Sequence, residues 1–160
     1  MINRERVYID MDGVLVNLES EINLWFGNHP HLKERYKDCP DEIPGLFRNP
    51  YPLEGAVDAI KQLSECGKYE LVIATAAPWG NPEAAMDKRY WIERYFGPLF
   101  KKQMVITHRK NLLIGDYLID DKLSNGAADF DGTLLRFGWN YETKVWNEYR
   151  TWKHILKELL

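Results

Sequence analysis

Five short apolar runs punctuate the chain, at residues 7–10, 69–75, 103–107, 117–121 and 133–137, each bounded by polar or turn-forming residues. Runs of this length, rich in Val, Ile and Tyr, predict buried strands. Helical periodicity fills two of the gaps. The stretch "LEGAVDAIKQLSECG" puts Ala56, Val57, Ile60 and Leu63 on one face and stops at Gly67, a residue suited to the left-handed turn past a helix end. The stretch "NPEAAMDKRYWIERYFG" predicts a second helix, with Asn81 as N-cap, Pro82 in its first turn and Gly97 just beyond it. Strands alternating with helices predict an α/β fold, a Rossmann-like parallel sheet flanked by helices.

Residues 17–52 break this rhythm. They hold an amphipathic stretch, "LESEINLWF", then prolines at positions 30, 40, 44, 50 and 52 among glycines and charges. A structureless loop of that length is uncommon inside a compact domain. The segment is therefore expected to form a small, mostly helical cap inserted after the first strand, positioned to act as a lid. The expected organisation is a single domain over residues 1–160, with a core at about 1–16 and 53–160 and a cap at about 17–52.

Charge narrows the range of partners. The chain of 160 residues carries a formal net charge of -3, with acidic and basic residues interspersed. That pattern has no electrostatic footprint for a nucleic-acid polymer. The N-terminal "MINRERVYID" lacks an apolar signal core, and no long apolar run predicts a membrane span. A cytoplasmic protein is the expectation. The two cysteines, Cys39 and Cys66, share no metal-ligand spacing with each other or with histidine, so both are expected to be ordinary thiols.

The strand ends carry the candidate chemistry. The first strand ends at Asp10, with Asp12 two residues on; the second ends at Thr75, followed by the backbone of Ala76 and Ala77. Lys110 follows the third, and the fourth ends in Asp120 and Asp121. In a parallel sheet these ends face one rim, where ligands gather. Crowded carboxylates raise one another's pKa unless a cation offsets the charge. Oxygen ligands without His or Cys suit a hard ion such as Mg²⁺, which binds a few carboxylates together with a substrate phosphate. An ionised aspartate there is a competent nucleophile toward phosphorus.

The stretch "DMDGVLVN" resembles motif I of the haloacid dehalogenase superfamily, and Thr75, Lys110 and Asp120–Asp121 follow in the order of its motifs II, III and IV. The resemblance is greater to the 5′(3′)-deoxyribonucleotidase family, through "PLEGAVDAI", "KRYWIERYFG" and "LIDD". It implies that Asp10 is the nucleophile and a metal ligand. Asp12 would be the acid and then the base, its backbone carbonyl also meeting the metal. Thr75 and Ala76 would bind phosphate, with Lys110 and, on the helix after motif II, Lys88. Asp121, supported by Asp120, would complete a Mg²⁺ site.

The implied activity is removal of phosphate from deoxynucleoside 5′-monophosphates, and of 3′-monophosphates as an open extension, through an aspartyl-phosphate. The implied partner is a small phosphomonoester, not a nucleic-acid polymer or a membrane, with a homodimer left open. The chain departs from the family at three places, one of them an aromatic pair further into the cap that has no counterpart here. Motif II has Ala76 where a serine is common, and Leu18 stands where an aromatic cap residue is common. Leu18, Trp25 and Phe47 are the expected substrate-pocket residues, and the other tryptophans and tyrosines are expected mostly in core and cap packing. "GDYLID" also fits another form of motif IV that would use Asp116; "YLIDD" is preferred as strand and site. Three alternatives remain at this level: a related phosphatase for another small metabolite, a phospho-accepting module of the receiver type, which places its accepting aspartate after the third strand, and a catalytically silent binding protein.

Overall fold

The computed structural model describes residues 3–160. Five parallel strands form the sheet: β1 (Glu5–Ile9), β2 (Tyr69–Thr75), β3 (Met104–Ile106), β4 (Tyr117–Asp120) and β5 (Thr133–Arg136), in the order β3-β2-β1-β4-β5. From β1 the chain steps outward through β2 to β3. It then crosses back to β4 beside β1 and continues outward to β5. Right-handed crossovers put connections that step in opposite directions on opposite faces of the sheet. Accordingly α3 (Ala56–Glu65) and α4 (Ala84–Phe96) pack on one face, joined there by the C-terminal α5 (Trp152–Leu159). The other face is covered by two 3₁₀ turns, Lys110–Leu112 and Ala127–Asp129. The reversal of direction falls between β1 and β4, which makes the crevice at their carboxyl ends the natural ligand site of this fold.

The core records the two-residue alternation of the strands. Val7, Ile9, Leu71, Ile73, Ile119 and Leu135 face the helices and meet Ile60, Trp91 and Ile155, whereas Tyr8, Val72 and Leu118 face the opposite side. The helix α3 ends as expected, with Gly67 at φ 74° after the cap residue Cys66. The start of α4 corrects the sequence expectation. The helix begins at Ala84 behind Glu83, without a side-chain cap, and Pro82 lies in the preceding turn. Asn81 is buried and its amide donates instead to the carbonyls of Asp41, at 3.2 Å, and Ile43, at 3.0 Å.

Residues 17–52 fold into α1 (Leu18–Asn28), α2 (Pro30–Tyr36) and a 3₁₀ turn at Pro40–Glu42. Asn17 caps α1 by accepting the Ser20 amide at 3.2 Å, and Pro30, which cannot continue α1, opens α2. Ile43, Leu46 and Phe47 form a separate apolar cluster with Ala84, against which Ile22, Trp25 and Phe26 pack. The segment leaves and re-enters through a narrow neck. There the Asn17 amide donates to Tyr51, the Leu53 amide donates to Leu15, and Val16 bridges Pro52.

Two elements lie outside the predicted set. A hairpin of β6 (Trp139–Asn140) and β7 (Val145–Trp146) follows β5, and α5 closes the chain with Trp152, Ile155 and Leu159 buried. The helical spacing of these last three side chains was present in the sequence; the two-residue strands carry no readable period.

Candidate active site

The tight turn after β1 begins the site. The amides of Val14, Leu15 and Val16 all donate to the Met11 carbonyl, so the chain folds back within one turn. Gly13 has φ 78°, and a Cβ there would lie 2.3 Å from the Asp121 Oδ2 atom. Both backbone freedom and the absence of a side chain are therefore required at Gly13. The turn leaves Asp10 buried at the strand end and Asp12 partly open beside it.

The structure brings Asp10, Asp120 and Asp121 together, with one carboxylate oxygen from each lying within 4.8 Å of the others. The register of β1 against β4, Ile9 opposite Ile119, brings these strand ends side by side. Lys110 rises from the turn after β3 and donates to Asp10 Oδ1 at 3.1 Å and to Asp120 Oδ2 at 2.5 Å. The other Asp120 oxygen accepts the Lys122 amide. Among the described residues, no lysine or arginine makes an ion pair with Asp121. The two aspartates are thus held differently, one by a lysine and the other facing the cluster.

Electrostatics follows from this packing. Burial opposes the Lys110 charge, but Asp10 and Asp120 outweigh it and hold the ammonium above its ordinary range. Burial and the Asp10 charge raise the Asp120 carboxyl to about 6 despite Lys110. Burial, with Asp10 and Asp120 close by, pushes Asp121 well above the usual carboxylate range. Lys122 is also raised, because Asp121, Asp12 and Asp10 outweigh its burial. The cluster therefore holds more buried negative charge than Lys110 offsets. An all-oxygen donor set with that excess fits a small hard divalent cation.

A second lysine occupies the other side. Lys88, buried on α4, donates to Asp12 Oδ2 at 2.7 Å, to the Thr75 hydroxyl at 2.8 Å and to the Ala76 carbonyl at 2.6 Å. Its ammonium also lies 4.8 Å from the centre of the Phe47 ring. Thr75 is fully buried at the end of β2. Asp10, Lys110, Asp120 and Asp121 thus form one group and Asp12, Lys88, Thr75 and Ala76 another, and the turn from Asp10 to Asp12 joins the two at the carboxyl end of the sheet.

Asp116 lies elsewhere. It precedes β4, at the amino end of the strand, where its carboxylate accepts the Arg6 amide at 2.7 Å. Of the three expected pocket residues, Leu18 lines a cavity beside Asp12 and Asp121. Trp25 and Phe47 pack into the apolar cluster of residues 17–52, with the Trp25 ring nitrogen donating to Glu21. The sequence reading missed Asn147, a buried amide that donates to the carbonyls of Asp121 and Phe137, both at 2.9 Å. Its tie to the loop after β4 is made across the hairpin and had no local signal.

Comparison with known proteins places this arrangement. The family model described as 5′ nucleotidase, deoxy (pyrimidine), cytosolic type C protein matches residues 25–159. The chain is 41% identical over 135 residues to a provisionally named 5′(3′)-deoxyribonucleotidase of Vibrio phage KVP40, covering 82% of this chain and 75% of that one. It is 33% identical over 167 residues to a protein with the same provisional name from a Staphylococcus epidermidis strain, covering 93% and 89%. The human cytosolic-type 5′(3′)-deoxyribonucleotidase is 29% identical over 146 residues, covering 76% and 73%.

Solved structures share the fold at much lower identity. A haloacid dehalogenase-like hydrolase from Streptococcus pneumoniae superposes with a TM-score of 0.65 at 12% identity, covering 100% of both chains. A hydrolase of the same superfamily from Bacillus subtilis, solved bound to magnesium, gives 0.64 at 12% identity, covering 98% of this chain and 99% of that one. With its four motifs gathered at the switch point of the sheet, this chain belongs to the 5′(3′)-deoxyribonucleotidase family of phosphoric monoester hydrolases, on the haloacid dehalogenase fold.

Proposed function

We propose that the protein is a Mg²⁺-dependent phosphomonoesterase that releases phosphate from deoxynucleoside monophosphates through an aspartyl-phosphate at Asp10. The observation that carries this reading is the position of Asp10, buried at the switch point and hydrogen-bonded at 3.1 Å by Lys110, with Asp12 two residues away on the open side. The relatives' names supply the substrate class. A cytoplasmic setting matches the cytosolic-type relative, although a mitochondrial form is related too. No described helix is long and apolar enough to cross a membrane.

In the first step a carboxylate oxygen of Asp10 attacks phosphorus while the bond from phosphorus to the substrate's ester oxygen breaks. The leaving oxygen takes a proton from the Asp12 carboxyl, and a deoxynucleoside departs. In the second step the Asp12 carboxylate removes a proton from water as the water oxygen attacks phosphorus. The bond from phosphorus to the Asp10 oxygen breaks, giving inorganic phosphate and the free carboxylate. Lys110, Lys88, the Thr75 hydroxyl and the Ala76 amide hold the phosphoryl oxygens as charge spreads over them. Asp10 and Asp121, with the Asp12 carbonyl and the neighbouring Asp120, would hold Mg²⁺. The bound ion would neutralise the carboxylates and the phosphate in this buried crevice. Residues 17–52 serve as a cap that shields the phosphoenzyme from bulk water.

The test is phosphate release from 5′ and 3′ deoxyribonucleotides, matched ribonucleotides and sugar phosphates, with and without Mg²⁺, with Asp10→Asn as control. Turnover of the deoxy series that requires both metal and Asp10 supports the reading. Turnover confined to other phosphates moves the substrate, and no metal-dependent turnover rejects the mechanism.

A further inference from the structure

The neighbouring carboxylates at the end of β4 are held by different means. Asp120 is fixed through its side chain, one oxygen accepting the Lys110 ammonium and the other the Lys122 amide. Asp121 makes no ion pair with a lysine or arginine among the described residues. The hold on it comes through its backbone instead. Asn147, 26 residues further along the chain, donates from its side-chain nitrogen to the Asp121 carbonyl and to the Phe137 carbonyl, both at 2.9 Å.

Both partners are acceptors, which fixes the amide with its NH₂ group toward them and gives each carbonyl one N–H. Asn147 and Asp121 are both buried, so water does not compete for these bonds. The donor is itself held in place. The Asn147 backbone amide donates to the Gly138 carbonyl at 2.8 Å, and the Gly138 amide donates to Tyr149 at 2.8 Å, which ties the base of the β6–β7 hairpin together. On its far side Asp121 faces Gly13, where a Cβ would lie 2.3 Å from Asp121 Oδ2. Asp121 is therefore set between the bare α-carbon of the turn after β1 and the base of the hairpin.

We infer that Asn147 is a positioning residue for the motif IV aspartate: by tying the Asp121 backbone to the base of the hairpin, it holds that carboxylate ready for a divalent cation. The inference rests on the reading of the carboxylate cluster as a Mg²⁺ site. A carboxylate crowded by Asp10 and Asp120 with no cation of its own is repelled by its neighbours in the metal-free chain. Fixing its backbone keeps it in place, so the ordering is done on folding and not on binding. Partners that orient metal ligands in this way commonly account for 10–100-fold in metal affinity.

The experiment titrates Mg²⁺ calorimetrically into the metal-free wild type, Asn147→Leu and Asn147→Ala. Leucine keeps the volume of the side chain and deletes both donors. Each variant should bind Mg²⁺ about 10–100-fold more weakly. Turnover should recover as Mg²⁺ is raised, with KM for the phosphate ester unchanged. Asn81→Ala, which loses two side-chain bonds to carbonyls away from the cluster, is the stability control and should keep wild-type Mg²⁺ affinity. In a chelator, hydrogen exchange at the Lys122 amide should speed up in Asn147→Leu and not in Asn81→Ala. Wild-type Mg²⁺ affinity in Asn147→Leu overturns the inference even if its Tm falls, as does an equal loss of affinity in Asn81→Ala, the mark of general loosening. A wild type that binds no Mg²⁺ rejects the metal reading and this inference together. Binding weakened as expected, with no nucleotide turned over, supports the inference and rejects only the nucleotidase reading.

Discussion

The ammonium of Lys88 lies 2.7 Å from Asp12 Oδ2 and, through the same nitrogen, 2.8 Å from the Thr75 hydroxyl. One buried cation thereby joins the end of β2 to the turn after β1, although thirteen residues separate Lys88 from Thr75 and seventy-six separate it from Asp12. Replacing it with methionine keeps the volume and deletes the charge. Lys88→Met should lower kcat by about 10²–10³, the range seen when one preorganised donor is removed. Steady-state kinetics with circular dichroism as a fold control checks this; kcat within a factor of two of wild type would assign Lys88 to structure alone.

Asp12 should separate the two chemical steps. A phosphate ester of a weakly basic alcohol needs no acid to leave, so in Asp12→Asn it should still phosphorylate Asp10 but stall before hydrolysis. Turnover should fall by about 10²–10⁴, the usual contribution of a positioned acid or base. Rapid-quench experiments with p-nitrophenyl phosphate should show a burst close to one equivalent per site. Asp10→Asn should show neither burst nor turnover.

The raised carboxyls set a pH dependence for the metal-free chain. A group whose folded pKa exceeds its unfolded value stabilises the fold below the unfolded pKa and loses that contribution as pH rises through the folded one. For Asp120 the window runs from its ordinary value of 3.8 to about 6. Thermal unfolding in a chelator should therefore show the Asp120 contribution falling across this window, isolated as the difference between wild type and Asp120→Asn. Asp121→Asn removes a carboxyl whose ionisation is opposed by burial and by Asp10 and Asp120. At neutral pH its metal-free Tm should exceed that of wild type, and its Tm gain on adding Mg²⁺ should be lost.

Gly13→Ala tests the close approach to Asp121. The added methyl would overlap Asp121 Oδ2 and must also adopt φ 78°. The backbone conformation alone costs about 1–2 kcal/mol. Denaturant unfolding should show at least that loss, and calorimetric titration should show weakened Mg²⁺ binding as Asp121 is displaced.

Asn81 is the corresponding test of how residues 17–52 are held. Removing its amide takes away the side-chain donor to the carbonyls of Asp41 and Ile43, of which Ile43 keeps the Leu46 amide. Asn81→Ala should cost about 1–3 kcal/mol. Hydrogen exchange should show the loosening concentrated in residues 40–47, with the β1 and β2 amides protected as before.

Sequence alone determined the strand-and-helix alternation, the break in it at residues 17–52 and the polar residues that close three of the apolar runs. These are local records: apolar alternation marks a strand, helical spacing marks a buried helix face, and Asp10, Thr75 and Asp120 each close the run that carries them. Tertiary structure decided which ends meet. The step back from β3 to β4 put Asp120 and Asp121 beside Asp10, and no local period encodes strand order. It also set the partners of the charges: Lys110 reaches Asp10 across one hundred residues, and Lys88 bridges Asp12 and Thr75 from α4. Asn81 illustrates the converse, since its amide was turned from a capping position to the carbonyls of Asp41 and Ile43, which the folded segment of residues 17–52 brings beside it. The β6–β7 hairpin was illegible because two-residue strands are too short for alternation; its position comes from cross-strand pairing and from Asn147, contacts that exist only once the chain has folded.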